Sequence, residues 1–199
     1  MCKAPKSRQI PAGFSLTELV VVLAVAMILM AVGLPSFMRA YHSYQLSSAA
    51  TQVADMLRLA RYDAIRRNMN MNCVFQVSGA DPNNTIVWVA TFSTNTLDRS
   101  QKQTVLGPSG NLVAQGAAPN VAALIAGSKV AMATNNPSPT NATITFDARG
   151  ALVPPTTVDT FFLASTLAPE AGFRAVILMP AGAIQIWTSD ATGNWAQIR

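Results

Sequence analysis

The sequence predicts an α+β protein in which one long N-terminal helix carries a mostly antiparallel β-sheet head. Three observations predict it. Leu19 to Leu34 is an apolar run with no charge and no strong polar group, and a second apolar series recurs at helical spacing from Leu46 to Ala64. Beyond residue 72 the chain breaks into short β-prone runs separated by turn residues.

The first element is organised around Gly13-Phe14-Ser15-Leu16-Thr17-Glu18 and the apolar run behind it. Lys3, Lys6 and Arg8 precede it, with no acidic residue. A basic flank before an apolar helix reads as a segment that enters a membrane with its N-terminal side held in the cytoplasm. Glu18 is the anomaly, because a carboxylate at the head of such a run is costly to desolvate and demands a partner. A cut between Gly13 and Phe14 would make one: the new α-amino group would lie four residues from Glu18. Two other readings stand beside this one. An ordinary secretory signal could be cut at Ala31-Val32-Gly33, which leaves Glu18 unexplained, and an uncleaved anchor gives the same topology with a different N-terminus.

Leu19–Leu34 supplies sixteen residues, and Phe37 and Met38 bring the run close to the ~20 needed to cross a bilayer. Gly33 and Pro35 interrupt it near its end, and the proline's missing N–H predicts a kink or local unwinding there. From Ala40 to Asn68 the helix continues with a seam at Leu46, Ala50, Val53, Leu57, Ala60 and Ala64. Asp55 with Arg58, and Asp63 with Arg66 and Arg67, are spaced as solvated helix pairs, so Arg58, Arg61, Arg66 and Arg67 are expected to look outward. A helix from Phe14 to Asn68 would measure roughly 80 Å at ~1.5 Å per residue.

The expected strands are Val74–Val77, Ile86–Phe92, Gln103–Leu106, Thr143–Phe146, Thr160–Leu163, Phe173–Met179 and Ala183–Thr188. Ser78 to Asn84 and Pro180-Ala181-Gly182 are the turns that separate the first and last pairs. Residues 107–140, rich in Ala, Asn, Gly, Pro and Ser, read as a long surface excursion with one helical turn or edge strand, and Pro154-Pro155 as a bend. The resulting organisation is a leader at 1–13, a membrane-spanning helix half at 14–38, an amphipathic half at 39–70 and a β-rich head at 71–199.

At 199 residues, 50% hydrophobic and 12% charged, the chain suits one modest domain plus a membrane segment. The formal charge of +5 lies in the leader and the helix; without the three leader cations, eleven basic residues face nine acidic ones. That distribution is not a nucleic-acid footprint. Cys2 would leave with the leader, so Cys73, opening the apolar Cys73-Val74-Phe75, is expected to be a buried small hydrophobe.

Enzymatic chemistry, a cofactor and a metal are not expected. His42 is the only histidine and sits on the helix as a solvated residue, and no two of the scattered carboxylates pair an acid with a base. Gly107-Pro108-Ser109-Gly110 lacks the lysine of a phosphate loop, and Asp81, Asn83 and Asn84 lack the spacing of a calcium loop. Trp88 and Trp187 lie inside strand patterns and are expected in the core.

The residues Gly13 to Glu18 resemble the type III signal of type IV pilins and pseudopilins. The segments Leu57–Asn68, Ile144-Thr145-Phe146-Asp147-Ala148-Arg149-Gly150 and the closing hairpin with Gly182 in its turn resemble the GspH/FimT type of minor pilin and pseudopilin. The resemblance implies the pilin fold, removal of the leader after Gly13 by a prepilin peptidase, and N-methylation of Phe14. It implies that Glu18 pairs with a neighbouring subunit's terminal amine during assembly, and that the helix can melt at Pro35, beside Gly33. It also implies a single-pass protein of the bacterial inner membrane with its head in the periplasm. Such a subunit would then enter a type II secretion pseudopilus or a type IV pilus with other pilin subunits, to initiate or cap the fibre. Some FimT-like relatives bind DNA through arginines in the C-terminal hairpin and tail. Here the turn reads Pro180-Ala181-Gly182-Ala183-Ile184, the tail offers only Arg199, and Lys129, Arg149 and Arg174 are dispersed, so DNA is the weaker alternative.

Overall fold

The structure is a computed structural model that describes residues 15–78, 81–91, 103–129, 132–135, 137–138, 141–190 and 192–198. Gly13, Phe14, Asp98 and Arg199 lie outside the described residues, and the side chains of Asp81, Asn83, Asn84 and Trp88 outside the described side chains. The chain divides after Met38 into two compact units.

Helix α1 (Leu16–Arg67) crosses that division. Its helical conformation runs through Gly33 and Pro35 without a break, so the expected local unwinding is not seen. One missing donor removes one rung of the ladder, and an apolar stretch offers the freed carbonyl's neighbours no competing partner. At the other end Asn68 takes φ 51°, the Met69 amide donates to the Ala64 carbonyl at 3.2 Å and the Asn68 amide to that of Ile65 at 3.3 Å. This paired 6→1 and 5→2 arrangement is a Schellman cap with asparagine in the left-handed position usually taken by glycine.

In the second unit, all six seam residues expected from the helical spacing are fully buried. Ala49, Ala54 and Met56 are buried too, so the covered stripe is wider than the seam. The reason is that two sheets face it. The first consists of β1 (Met71–Ser78), β2 (Asp81–Thr91), β3 (Gln103–Leu106), β6 (Asn141–Phe146) and β7 (Leu152–Val153), in the order β3-β2-β1-β6-β7. The second has the order β11-β10-β9-β8-β4, from β4 (Asn111–Val113), β8 (Thr157–Ala164), β9 (Phe173–Leu178), β10 (Ile184–Ser189) and β11 (Trp195–Ile198). β5 (Ala133–Asn135) joins β8 in parallel, whereas the other pairings are antiparallel. Met71, Cys73 and Phe75 of β1 alternate inward, as a sheet with one covered face requires, and Phe75 stacks on Phe161 of β8 with ring centroids 4.6 Å apart. Cys73 is fully buried, and burial pushes its thiol well above the usual range.

The second sheet is covered on both faces. Phe161, Leu163, Val176 and Leu178 join the core beneath α1, while Val158, Phe162, Ala175 and Ile177 alternate into another cluster with Ala118, Leu124 and Trp187. The excursion at 107–140 supplies that second cover. Its described residues carry β4, a 3-10 turn at Gln115–Ala117, helix α2 (Val121–Gly127) and β5, more structure than the single helical turn or edge strand expected of a surface excursion. Fully burying Leu124 stabilises this lid by about 2 kcal/mol, and Val113, Ala118 and Val121 pack in the same cluster. Trp195 fastens its edge, donating from Nε1 to the Pro119 carbonyl at 3.0 Å and meeting Phe162 edge-on.

The expected turn between β1 and β2 is tighter than residues 78–84, since Ser78 pairs with Asp81. β7 and β11 were not expected, and β4 and β5 only as one unplaced edge strand; each is two to four residues long, too short for periodicity to show.

Gly110 marks the closest approach of the second sheet's leading loop to α1. A Cβ there would stand 2.5 Å from the Ala49 Cβ and 3.4 Å from the Leu46 Cα. Gly110→Ala is therefore expected to destabilise the fold by about 1–3 kcal/mol in urea unfolding of the full chain, and Ala49→Gly in the same molecule to recover part of the loss.

Candidate assembly surface

In the first unit the helix is exposed among the described residues. Leu16 is 79% exposed, and Leu19 through Met30 present large apolar side chains around the whole circumference. α1 is long and apolar enough there to cross a membrane. A contiguous apolar surface of this extent is not what a monomer leaves in water, so it needs either lipid or other helices. Glu18 sits in the first helical turn, where the helix dipole favours a carboxylate, and the Ser15 and Thr17 hydroxyls bond to each other at 2.5 Å beside it.

In the second unit the four helix arginines separate into two kinds. Arg58, Arg66 and Arg67 are exposed, with Arg58 on Asp55 at 2.7 Å. Such a solvated pair is worth little. Arg61 differs from the expectation. It turns inward, donating from Nε to the Gly150 carbonyl and from a terminal nitrogen to that of Gly182, both at 3.1 Å. The sequence carried a signal for this, since Arg61 lies four residues after Leu57 and three before Ala64 and so borders the seam. Asp63 also departs from the solvated pair expected of it: it is 4% exposed, with Arg66 reaching it at 3.4 Å.

Arg61 thereby joins the three segments on which the family resemblance rests. Asp147 caps the β6–β7 turn by accepting from the Arg149 and Ala151 amides at 2.9 and 2.8 Å, which sets Gly150 at φ +78° with its carbonyl toward the helix. Gly182, at φ +77°, holds the β9–β10 turn. A Cβ on Gly182 would stand 2.5 Å from the Gly150 oxygen and 2.6 Å from Arg61 Nε, so only glycine lets both turns converge on one guanidinium.

A second arginine pins the opposite end of the helix segment. Arg174, the second residue of β9, is 4% exposed, which removes it from any surface for nucleic acid. Its Nε donates to Ser47 Oγ at 3.0 Å, and its terminal nitrogens to Ser43 Oγ at 2.9 Å, the Ser43 carbonyl, and the carbonyls of Ala171 and Phe173. Burial pushes this guanidinium below its ordinary pKa. A lone arginine inside an otherwise apolar strand was the available sign.

The remaining candidates fall out as follows. His42 is half-buried, not solvated; its Nδ1 is enclosed and its ring lies 6.1 Å from that of Tyr41. Trp187 is buried, as expected, with Nε1 on Gln185. Among the described residues no group of three His, Cys, Asp or Glu side chains could hold a metal. Asp190 accepts from the hydroxyl and amide of Thr192 and from the side chain and amide of Asn194, which hold its carboxyl well below the usual range. Asp159 is raised by burial, an effect its hydrogen bond from Asn135 partly offsets.

The chain matches the family model described as type II transport protein GspH over residues 49–182. No curated protein matches it. Among solved structures it is similar to the type IV minor pilin FimU of Pseudomonas aeruginosa in two crystal forms. One shares 20% identity over 76% of this chain and 97% of that chain, with a TM-score of 0.45. The other shares 18% over 78% and 94%, with a TM-score of 0.43.

Two expectations follow. Arg61→Ala should cost about 2 kcal/mol in thermal or urea unfolding, and Arg61→Lys should fail to restore it, because one ammonium cannot span both carbonyls as the guanidinium does. A carboxylate held below its unfolded value stabilises above the ordinary range of about 4 and loses that contribution as the pH falls through its folded value. Amide-exchange protection of Thr192 and Asn194 should therefore decline on acidification below about pH 4 in the native chain and be insensitive there in Asp190→Ala.

The family match extends over most of the second unit, and it includes Arg61, Gly150 and Gly182, the residues that lock helix to head. The chain belongs to the GspH family of pilin-like type II transport proteins.

Proposed function

We propose that the protein is a minor pilin or pseudopilin made as a precursor, held in the bacterial inner membrane by residues 14–38 with its head in the periplasm, and extracted into a fibre. A prepilin peptidase removes residues 1–13 after Gly13, and Phe14 becomes the N-methylated terminus. The fibre is a type II secretion pseudopilus or a type IV pilus, in which the subunit initiates or caps the array. Its partners are other pilin or pseudopilin subunits.

The observation that carries this reading is the uncovered apolar helix surface with Glu18 in its first turn. Lateral packing of such helices drives association, as apolar burial does at about 25 cal/mol per Å². Glu18 sets the register, because a carboxylate in an apolar array is tolerated only where a neighbour's amine reaches it. Gly33 and Pro35 give the helix a place to yield when subunits pack, since the ladder there already lacks one donor. The head contributes recognition and not turnover.

Glu18→Ala is expected to leave membrane insertion intact and to abolish recovery of the subunit in sheared fibres. Undiminished incorporation would refute the pairing. Mass measurement of the native polypeptide tests the processing: the reading requires a chain that begins at methylated Phe14.

A further inference from the structure

A cleft of about 590 Å³ opens in the second unit between the start of its helix segment and the β9–β11 side of the second sheet, bordered by Arg39, Ser43, Glu170, Asp190 and Asn194. Its size is that of a small-ligand site. Arg174 lies beneath it, and all its donors are already taken by Ser43, Ser47, Ala171 and Phe173, so it is a fixed positive charge and not itself the ligand's partner. No carboxylate forms an ion pair with it among the described residues; the ion pairs there are Arg58–Asp55 and Arg66–Asp63. Ser43 Oγ accepts from that guanidinium, which leaves its hydroxyl proton to donate into the cleft with the cation behind it. Arg39 is exposed at the rim.

The opposite wall is negative. Asp190 is fixed by its own turn, both oxygens accepting from Thr192 or Asn194, and Glu170 is exposed nearby. A purely anionic ligand would meet two carboxylates and a purely cationic one two guanidinia. A ligand bearing both signs satisfies both walls. Arg39 directly follows Met38, the last residue of the apolar stretch, which sets the rim at the level of membrane headgroups if residues 14–38 span the bilayer.

We propose that this cleft holds the headgroup of a zwitterionic phospholipid with a primary amine, its phosphate on Arg39 and the Ser43 hydroxyl and its ammonium on Glu170 and Asp190. The proposal rests on the reading of residues 14–38 as a membrane segment. A subunit stored in the bilayer would exchange this contact for neighbours on leaving it.

The full chain, reconstituted in vesicles of equal phosphatidylethanolamine and phosphatidylglycerol, would be floated, gently solubilised and weighed intact by native mass spectrometry. The expected result is one retained phosphatidylethanolamine per chain with a preference of about tenfold, the scale of a charged hydrogen bond, and loss of that preference in both Arg39→Gln and Glu170→Gln. Both side chains are exposed, so neither change threatens folding. Equal retention of the two lipids, or unchanged retention in the variants, overturns the proposal while flotation leaves the membrane reading standing. A chain that does not float sinks both. Soluble phosphoethanolamine is expected not to displace the lipid; displacement by micromolar amounts would mean a small-molecule site and overturn the lipid assignment.

Discussion

The apolar stripe from Leu46 to Ala64 has to be shielded on two flanks at once, and the rest of the second unit is arranged to do it. Alanines at 49, 50, 54, 60 and 64 keep the helix slim, so β-sheet can approach from either side. The first sheet offers Met71, Cys73, Phe75, Val87 and Ile144, and the second Leu112, Phe161, Leu163, Val176 and Leu178, into one continuous core. Close packing of that kind tolerates little change in volume, which is why small residues recur where backbone meets helix.

Two arginines fix where the helix lies along those sheets. Arg174 binds the early turns through Ser43 and Ser47, and Arg61 binds the later ones through the carbonyls of Gly150 and Gly182. Apolar packing is non-directional and would permit sliding by a turn. Hydrogen bonds from a planar guanidinium do not, since they lose their geometry within an ångström. The same division of labour, with apolar burial for affinity and a charged group for register, underlies the role proposed for Glu18 in the first unit.

The lid built from residues 107–138 has a different logic. Alanine is its commonest residue, and only Leu124 of α2 is buried, yet it allows the second sheet to be apolar on both faces. That explains a strand such as Phe173–Leu178, in which every residue after Phe173 is buried while alternate side chains serve different clusters.

Local pattern determined the long helix, its seam, the principal strands, the closing hairpin and the family, because periods of 3.6 and 2 and short segments such as Leu57–Asn68 and Ile144–Gly150 are written in neighbouring residues. The exposed pair Asp55–Arg58 and the burial of Cys73 and Trp187 were legible for the same reason. Only the tertiary structure decided that there are two sheets, where residues 111–127 dock, that Asp63 and His42 are withdrawn from water, and that Arg61 and Arg174 point inward. Arg61's partners Gly150 and Gly182, and Arg174's partners Ser43 and Ser47, lie 89 to 131 residues away in the chain. A guanidinium's choice between water and a distant acceptor depends on whether folding brings that acceptor within hydrogen-bond reach; local pattern marks the arginine, bordering a seam or inside an apolar strand, but not its partner.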